Sequence, residues 1–204
     1  MTEPLRTFPP FLLRQFIITA VAEVGHSELA RILEGASLPA SLMDENTMPL
    51  LNSSQAADSY AGIQRSLRLY YGRGARGVLL RIGQNLWEPV LHGLNMGDRF
   101  STMWVRAIPA GSRYKPALDL LAKVLRGGEG SLSVHTLDLN LLFMDASSPS
   151  TVNLSELQPV CFVTLGLIQG VLYWATGVDC EVEETACRAM GNDMCEFKIS
   201  LPGK

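Results

Sequence analysis

The side chains with the most chemistry in them crowd the last quarter of the chain. Seven residues separate Cys187 from Cys195, Glu183 and Glu184 come just before Cys187, and Cys161 lies upstream. Three thiols and a carboxylate are a donor set for a tetrahedral zinc ion, which binds deprotonated ligands at about 2.0–2.3 Å. The alternative for the same residues is burial as small apolar side chains, because free cysteine is among the most buried residue types. A metal site needs more than the residues: rigid elements must carry sequence-distant donors to one point.

The local pattern supplies such elements. A strand over 179–186, a tight turn over 188–193 containing Gly191, and a returning strand over 194–201 predict a hairpin that brings Cys187 and Cys195 to one turn. Glu184 and Cys187 have opposite strand parity, so a bulge or a strand end must intervene if both face the same way. Glu183 shares parity with Cys187, and Cys180 faces as Glu184 does. Spacing alone therefore leaves either glutamate as the carboxylate and holds Cys180 in reserve. Cys161 sits in the first turn of a helix whose Leu165, Ile168 and Leu172 give it an inward face.

Upstream the pattern is helical. Apolar spacing predicts a helix over 11–24, a second short one to about Glu34, and a loop over 35–52. A helix capped by Ser53 or Ser54 runs to Tyr71, with Ile63, Leu67 and Tyr70 on one face. Another runs from Ala75 to about His92, with Pro89 bending or ending it. Two more follow between Leu94 and Arg126, divided at 109–112. After a turn at 127–130, alternation over 131–144 reads as one bent strand or two strand segments. The result is an α+β chain, 1–204 as one domain, with N-terminal helices packed on a small antiparallel sheet that a buried helix interrupts. Residues 1–52 form an N-terminal helical region and 53–204 the core.

Composition limits the function. Apolar residues make up 47% of the 204 positions and charged residues 18%, so the chain can bury a sizeable core. The net charge of −3, without a Lys/Arg cluster, argues against nucleic acid as a partner. The start of the chain shows no charged segment leading into an apolar one, so the expectation is a cytoplasmic protein with reduced cysteines. The uncharged run 157–178 is long enough to span a bilayer and contains a GxxxG at Gly166 and Gly170. Its interspersed Gln158, Pro159, Thr164, Gln169 and Thr176, and its lack of basic flanks, favour a buried core helix over a transmembrane segment.

The stretch Gly170-Val-Leu-Tyr-Trp-Ala-Thr-Gly177, followed by Val182-Glu-Glu-Thr-Ala-Cys-Arg-Ala-Met-Gly-Asn-Asp-Met-Cys-Glu-Phe-Lys-Ile199, resembles the C-terminal signature of the 4-vinyl-reductase domain family. The specific match covers roughly the last 45 residues, and 70–83 is similar to family members in a less diagnostic way. That family includes a bacteriochlorophyll-synthesis protein, hydrocarbon-binding proteins and phenol-sensor domains, and its fold is similar to that of a vesicle-tethering TRAPP subunit. The resemblance implies a zinc site of the form Cys…Glu-x-x-Cys-x7-Cys, which falls on Cys161, Glu184, Cys187 and Cys195 and leaves Cys180 out. Four protein donors close the tetrahedron, so the zinc would be structural. The resemblance also implies a homodimer through the N-terminal helices and a pocket for a small hydrophobic molecule: a tetrapyrrole intermediate, an aromatic hydrocarbon or an acyl chain.

For that pocket the sequence offers Tyr70, Trp104, His135, Phe143, Leu165, Ile168 and Leu172 as lining residues. Each of these also fits ordinary core or surface, and the His and Trp that bind the phenol hydroxyl in the phenol sensors have no clear counterpart here. The literal GxGxxG at 72–77 follows a helical pattern rather than a strand, so it reads as a helix–helix corner and not as a dinucleotide site. A vinyl reductase, alone or as an accessory protein in pigment synthesis, is the enzymatic alternative. It would need a nicotinamide, flavin or iron–sulfur site, and the pattern shows no Rossmann unit and only Cys180 to spare. A protein-interaction scaffold is the third. The expectation is therefore a zinc-containing sensor or carrier rather than an enzyme.

Overall fold

The computed structural model describes residues 8–44, 51–126, 131–138 and 140–202. The turn expected at 127–130 lies outside them. The chain begins with helices α1 (Pro10–Val24) and α2 (His26–Gly35). Pro10 opens α1 at a position whose missing N–H costs no helical bond. Gly25, with φ 91°, ends α1 and starts α2, a backbone conformation that other residues rarely adopt. Leu12, Leu13, Phe16, Leu29, Ile32 and Leu33 are all buried, and Phe16 meets the Tyr60 ring edge-on at 4.8 Å.

Helix α3 (Ser53–Tyr71) is capped one residue earlier than the serines suggested. The Asn52 side chain accepts from the Gln55 amide at 2.9 Å, and the Gln55 side chain accepts from the Asn52 amide at 3.0 Å. This reciprocal pair satisfies two orphan N–H groups at once, which a lone serine does not. Gly72, with φ 53°, then turns the chain into α4 (Ala75–Gly93). The GxGxxG is thus the helix–helix corner it was expected to be. Helix α4 continues through Pro89 to Gly93, so the proline does not end it. Helices α5 (Met96–Ala107) and α6 (Tyr114–Leu125) follow.

The alternating segment after α6 forms two strands, β1 (Leu132–Leu137) and β2 (Asn140–Asp145), that pair as a hairpin across Asp138, whose φ is 48°. Helix α7 (Phe162–Thr176) interrupts the sheet before β3 (Glu181–Ala186) and β4 (Cys195–Ser200). The four strands are antiparallel in the order β1-β2-β4-β3. Phe143 on β2 faces Phe197 on β4 with ring centroids 6.2 Å apart, and both are buried. Helix α6 packs on β1 and α7 on β3. One apolar cluster runs from Phe8 to Ile199, and the α+β architecture expected from the order of elements is the one observed.

The uncharged run ends as α7, a helix of 15 residues packed along α4. No helix among the described residues is long and apolar enough to cross a membrane. Its GxxxG serves a crossing inside the core. A Cβ on Gly166 would lie 2.2 Å from the Leu80 carbonyl oxygen, one on Gly170 would lie 2.4 Å from that of Gln84, and one on Gly83 would lie 2.2 Å from that of Val163. The two backbones touch because glycine faces glycine. Gln84 seals the crossing by donating to Gln169 Oε1 at 3.0 Å.

Candidate metal centre

The crossing fixes α7, and Cys161 is the residue that caps its start, one position before the first helical turn that the sequence suggested. The loop that delivers Cys161 is fastened to α3. Gln64 Nε2 donates to Ser150 Oγ at 3.1 Å, the Arg65 guanidinium donates to the Val152 carbonyl at 3.1 Å, and Arg68 pairs with Glu156 at 3.0 Å. At the far end of the loop the Glu156 amide donates to the Ala189 carbonyl at 2.8 Å, tying loop to hairpin.

The hairpin supplies the other donors. Along β3 exposure alternates, with Glu181 and Glu183 outward and Val182 and Glu184 buried. Burial thus distinguishes the two glutamates: Glu183 faces out and Glu184 faces in. The register then shifts between Glu184 and Ala186, the irregularity that parity required for Cys187 to turn to the same side. Gly191, with φ 89°, closes the turn, and Cys195 begins β4. Cys180 is buried just before β3 but stands outside the cluster.

One ligand atom from each of Cys161, Glu184, Cys187 and Cys195 lies within 4.8 Å of all the others, and all four residues are buried. Cys161 Sγ is 3.5 Å from Cys195 Sγ and 4.0 Å from Cys187 Sγ. A tetrahedron with metal–sulfur bonds of about 2.3 Å has an S···S edge of about 3.8 Å. The observed distances bracket it. Glu184 Oε2 accepts from the Cys161 amide at 2.9 Å, while Glu184 Oε1 is buried without any hydrogen-bond partner. An orphaned carboxylate oxygen beside three sulfurs is what a cation would satisfy.

Electrostatics point the same way. Burial and contact with Cys187 push the Glu184 carboxyl up to about 8. Hydrogen bonds with Cys187 and Cys195, then burial, hold the Cys161 thiol well above its ordinary range. Cys187 goes down because Cys161 and Cys195 donate to it. Cys195 is lowered by Cys161 but raised more by Cys187 and by burial. A cation beside these groups would favour their deprotonated, ligating forms. The sulfurs have further support: the Arg188 amide donates to Cys195 Sγ at 3.4 Å, and Ser148 Oγ sits 3.7 Å from Cys161 Sγ. Asn192 Nδ2 donates to the Cys187 carbonyl at 3.0 Å, bracing the turn. Ser148 and Gln64 went unnoticed in the sequence, because their contacts follow no period or motif, and Asn192 was legible only as part of the turn.

The expected pocket residues are not gathered in this way. Phe143, Leu165, Ile168 and Leu172 are core. Tyr70 is half-exposed at the end of α3, where it donates to Glu28. His135 is exposed on β1, 3.0 Å from Ser133 Oγ. Trp104 is exposed on α5, where it lines a groove against α6.

With this geometry in view, comparison places the fold first. An H-NOX protein from S. oneidensis in the Fe(II)NO ligation state superposes with a TM-score of 0.58 at 17% identity, over 95% of this chain and 99% of that one. An H-NOX structure from work on haem distortion gives 0.58 at 13% identity, over 92% and 90%. An oxygen-binding H-NOX domain related to soluble guanylate cyclases gives 0.52 at 11%, over 91% and 89%. At these identities the likeness is one of fold. Residues 147–201 match the 4-vinyl-reductase domain, so the resemblance read from the C-terminal signature holds, and the segment contains all four clustered donors. Comparison with curated proteins returns no match.

Proposed function

We propose that the protein is a zinc-containing domain that binds a small apolar molecule as a sensor or carrier, with the zinc structural. The buried three-cysteine, one-glutamate cluster carries this reading. Its four donors complete a tetrahedron, so a zinc ion there has no open position for a substrate and acts as a clamp between α7 and the β3–β4 hairpin. Thiolate-rich sites favour zinc over magnesium or calcium. The 4-vinyl-reductase domain match and the H-NOX-like fold support ligand binding, since the H-NOX structures are of domains that hold haem and its diatomic ligands.

Haem itself does not fit these residues. Haem iron is commonly held by a buried His or Cys, whereas His26, His92 and His135 are all exposed, three of the four cysteines form the cluster, and the Sγ of the fourth, Cys180, is turned to the Val178 carbonyl at 3.9 Å. The proposed occupant is therefore an apolar organic molecule such as an aromatic hydrocarbon, a pigment intermediate or an acyl chain. The homodimer implied by the family resemblance forms part of the proposal, and light scattering at a mass of two chains tests it.

Native mass spectrometry of protein purified from its own host tests the reading as a whole. The expected spectrum shows one zinc per chain and a retained organic molecule. Metal-free protein together with a fully stable Cys187→Ser variant would overturn the clamp.

A further inference from the structure

Helix α5 stands proud of the core. It has twelve residues, a length marginal for a helix by itself, and only Val105 is buried. Its apolar stripe points to solvent: Met96 is 71% exposed, Phe100 65%, Met103 69% and Trp104 61%. These positions follow i, i+4, i+7, i+8 and share one helix face. The groove between this stripe and α6, about 520 Å³, is open rather than enclosed.

Positive charge gathers on the same surface. Residues 94–126 hold six Arg and Lys against two Asp, in a chain whose net charge is −3. No run of adjacent bases announces this excess; the pairing of α5 with α6 collects it. Both carboxylates already have a cation, Asp98 bonding Lys123 at 2.7 Å and Asp119 bonding Lys115 at 2.8 Å. The arginines meet neutral groups instead. Arg99 donates to the His92 carbonyl at 3.0 Å, Arg113 donates to the Ile108 carbonyl at 2.7 Å and to the Ala175 carbonyl at 2.9 Å, and Arg106 lies 5.8 Å over the Trp174 ring. A carbonyl or a ring leaves the guanidinium charge uncompensated. Arg99 and Arg106, at i and i+7 and both exposed, run along one edge of the stripe. Helix α6, with Lys123, borders the other edge across the groove.

An apolar stripe edged by uncompensated cations is the pattern of a helix lying in a membrane interface. Its apolar side chains enter the acyl layer while its basic ones reach the headgroup phosphates. Trp104 suits that depth, because its ring is amphipathic. Other covers satisfy half of this surface. A second copy in a two-fold contact would set the same cationic surface against itself. A neutral small molecule leaves the arginines without a counter-charge, and a nucleic acid supplies phosphates but no apolar phase for Met96 and Met103. We propose that α5 docks this protein on an anionic lipid bilayer, with Met96, Phe100, Met103 and Trp104 inserted and Arg99 and Arg106 on the lipid phosphates. The inference is independent of the metal centre and of which apolar molecule the domain binds.

The test sediments the full chain with vesicles of phosphatidylcholine alone and of phosphatidylcholine with a third phosphatidylglycerol. The expected result is saturable binding to the anionic vesicles, at least tenfold tighter than to the neutral ones and weakening as salt rises. Phe100→Ser and Trp104→Ser each weaken it at least tenfold, whereas Phe100→Leu, still apolar, stays within threefold of wild type. Arg99→Gln combined with Arg106→Gln brings the two vesicle types within threefold of each other. Far-ultraviolet circular dichroism stays unchanged throughout, because all four side chains are exposed. No binding to either vesicle overturns the inference, and so does anionic-vesicle binding that the serine and glutamine variants leave intact. A wild-type dimer that Phe100→Ser turns into monomers, without vesicle binding, shows a subunit contact and overturns it. A retained organic molecule lost from Trp104→Ser, again without vesicle binding, shows a ligand site and overturns it while supporting the small-molecule reading.

Discussion

Adding one methyl group at Gly83 should reverse the sign that helix propensity assigns to the change. In a helix interior, Gly→Ala gains about 1 kcal/mol because alanine loses less backbone freedom on folding. Gly77, on the same helix α4, should show that gain: a Cβ there meets nothing nearer than Arg81 Nη1 at 3.5 Å, the movable end of a side chain. At Gly83 the new atom would lie 2.2 Å from the Val163 carbonyl oxygen, 2.9 Å from the Leu167 nitrogen and 3.0 Å from the Gly166 Cα. All three are backbone atoms and cannot rotate away. Relief requires the two helices to part by about 1 Å, and a gap of that size forfeits a quarter to a half of each dispersion contact along the crossing. With overpacking costs of ~1–3 kcal/mol added, Gly83→Ala should lose about 3 kcal/mol net. For a chain of this size that is a fall of roughly 6–12 °C in Tm. Val163 lies in the first turn of α7, two residues after Cys161, so the variant should also weaken metal binding. Urea unfolding of zinc-loaded protein followed by far-ultraviolet circular dichroism, with competition by a chromophoric chelator, reads both effects. A Gly83→Ala variant as stable as wild type would refute the backbone-contact argument.

Glu184→Gln keeps the shape of the donor and removes its charge, so zinc affinity should fall on the order of 100-fold or more, beyond the usual range for supporting residues; chelator competition measures it. Because the cysteine thiols must shed protons to bind zinc, metal should be released as pH falls, with proton uptake visible by calorimetry. Burial pushes the Asp145 carboxyl up to about 6 from its ordinary 3.8. A carboxyl raised on folding contributes stability that is present below pH 3.8 and lost as pH rises through 6, about 3 kcal/mol in all. Asp145→Asn should therefore be the more stable protein at about pH 7.5 and equal to wild type near pH 4 in urea unfolding. Asn52→Ala removes the reciprocal cap of α3 and should cost about 1 kcal/mol in the same assay.

Spacing is readable where the chemistry is local, and the candidate metal centre is mostly local. The seven-residue gap and the turn at Gly191 placed Cys187 beside Cys195, and parity demanded the register shift that the structure has after Glu184. Parity could not decide between Glu183 and Glu184, because the answer depends on which face of β3 meets α7. The resemblance chose Glu184, and the burial alternation along β3 gives the physical reason. The Gly166-x-x-x-Gly170 spacing announced a close helix crossing but not its partner; Gly83, far upstream, carried no signal of its own. The hydrogen bonds from Gln64 and Arg65 to the 146–161 loop were likewise illegible, since they join residues more than eighty positions apart. Periodicity also overreached. It set Tyr70 on the face of Ile63 and Leu67, yet α3 leaves the core before Tyr70, which ends half-exposed. A stripe says which residues share a face and leaves open what covers them.

The proposed zinc clamp is tested most directly by extended X-ray absorption fine structure at the zinc edge on the purified chain. The account predicts three sulfur scatterers at about 2.3 Å and one oxygen at about 2.0–2.2 Å, with the oxygen lost or displaced in Glu184→Gln. A metal-free protein, or a coordination sphere made of nitrogen and oxygen alone, would contradict it.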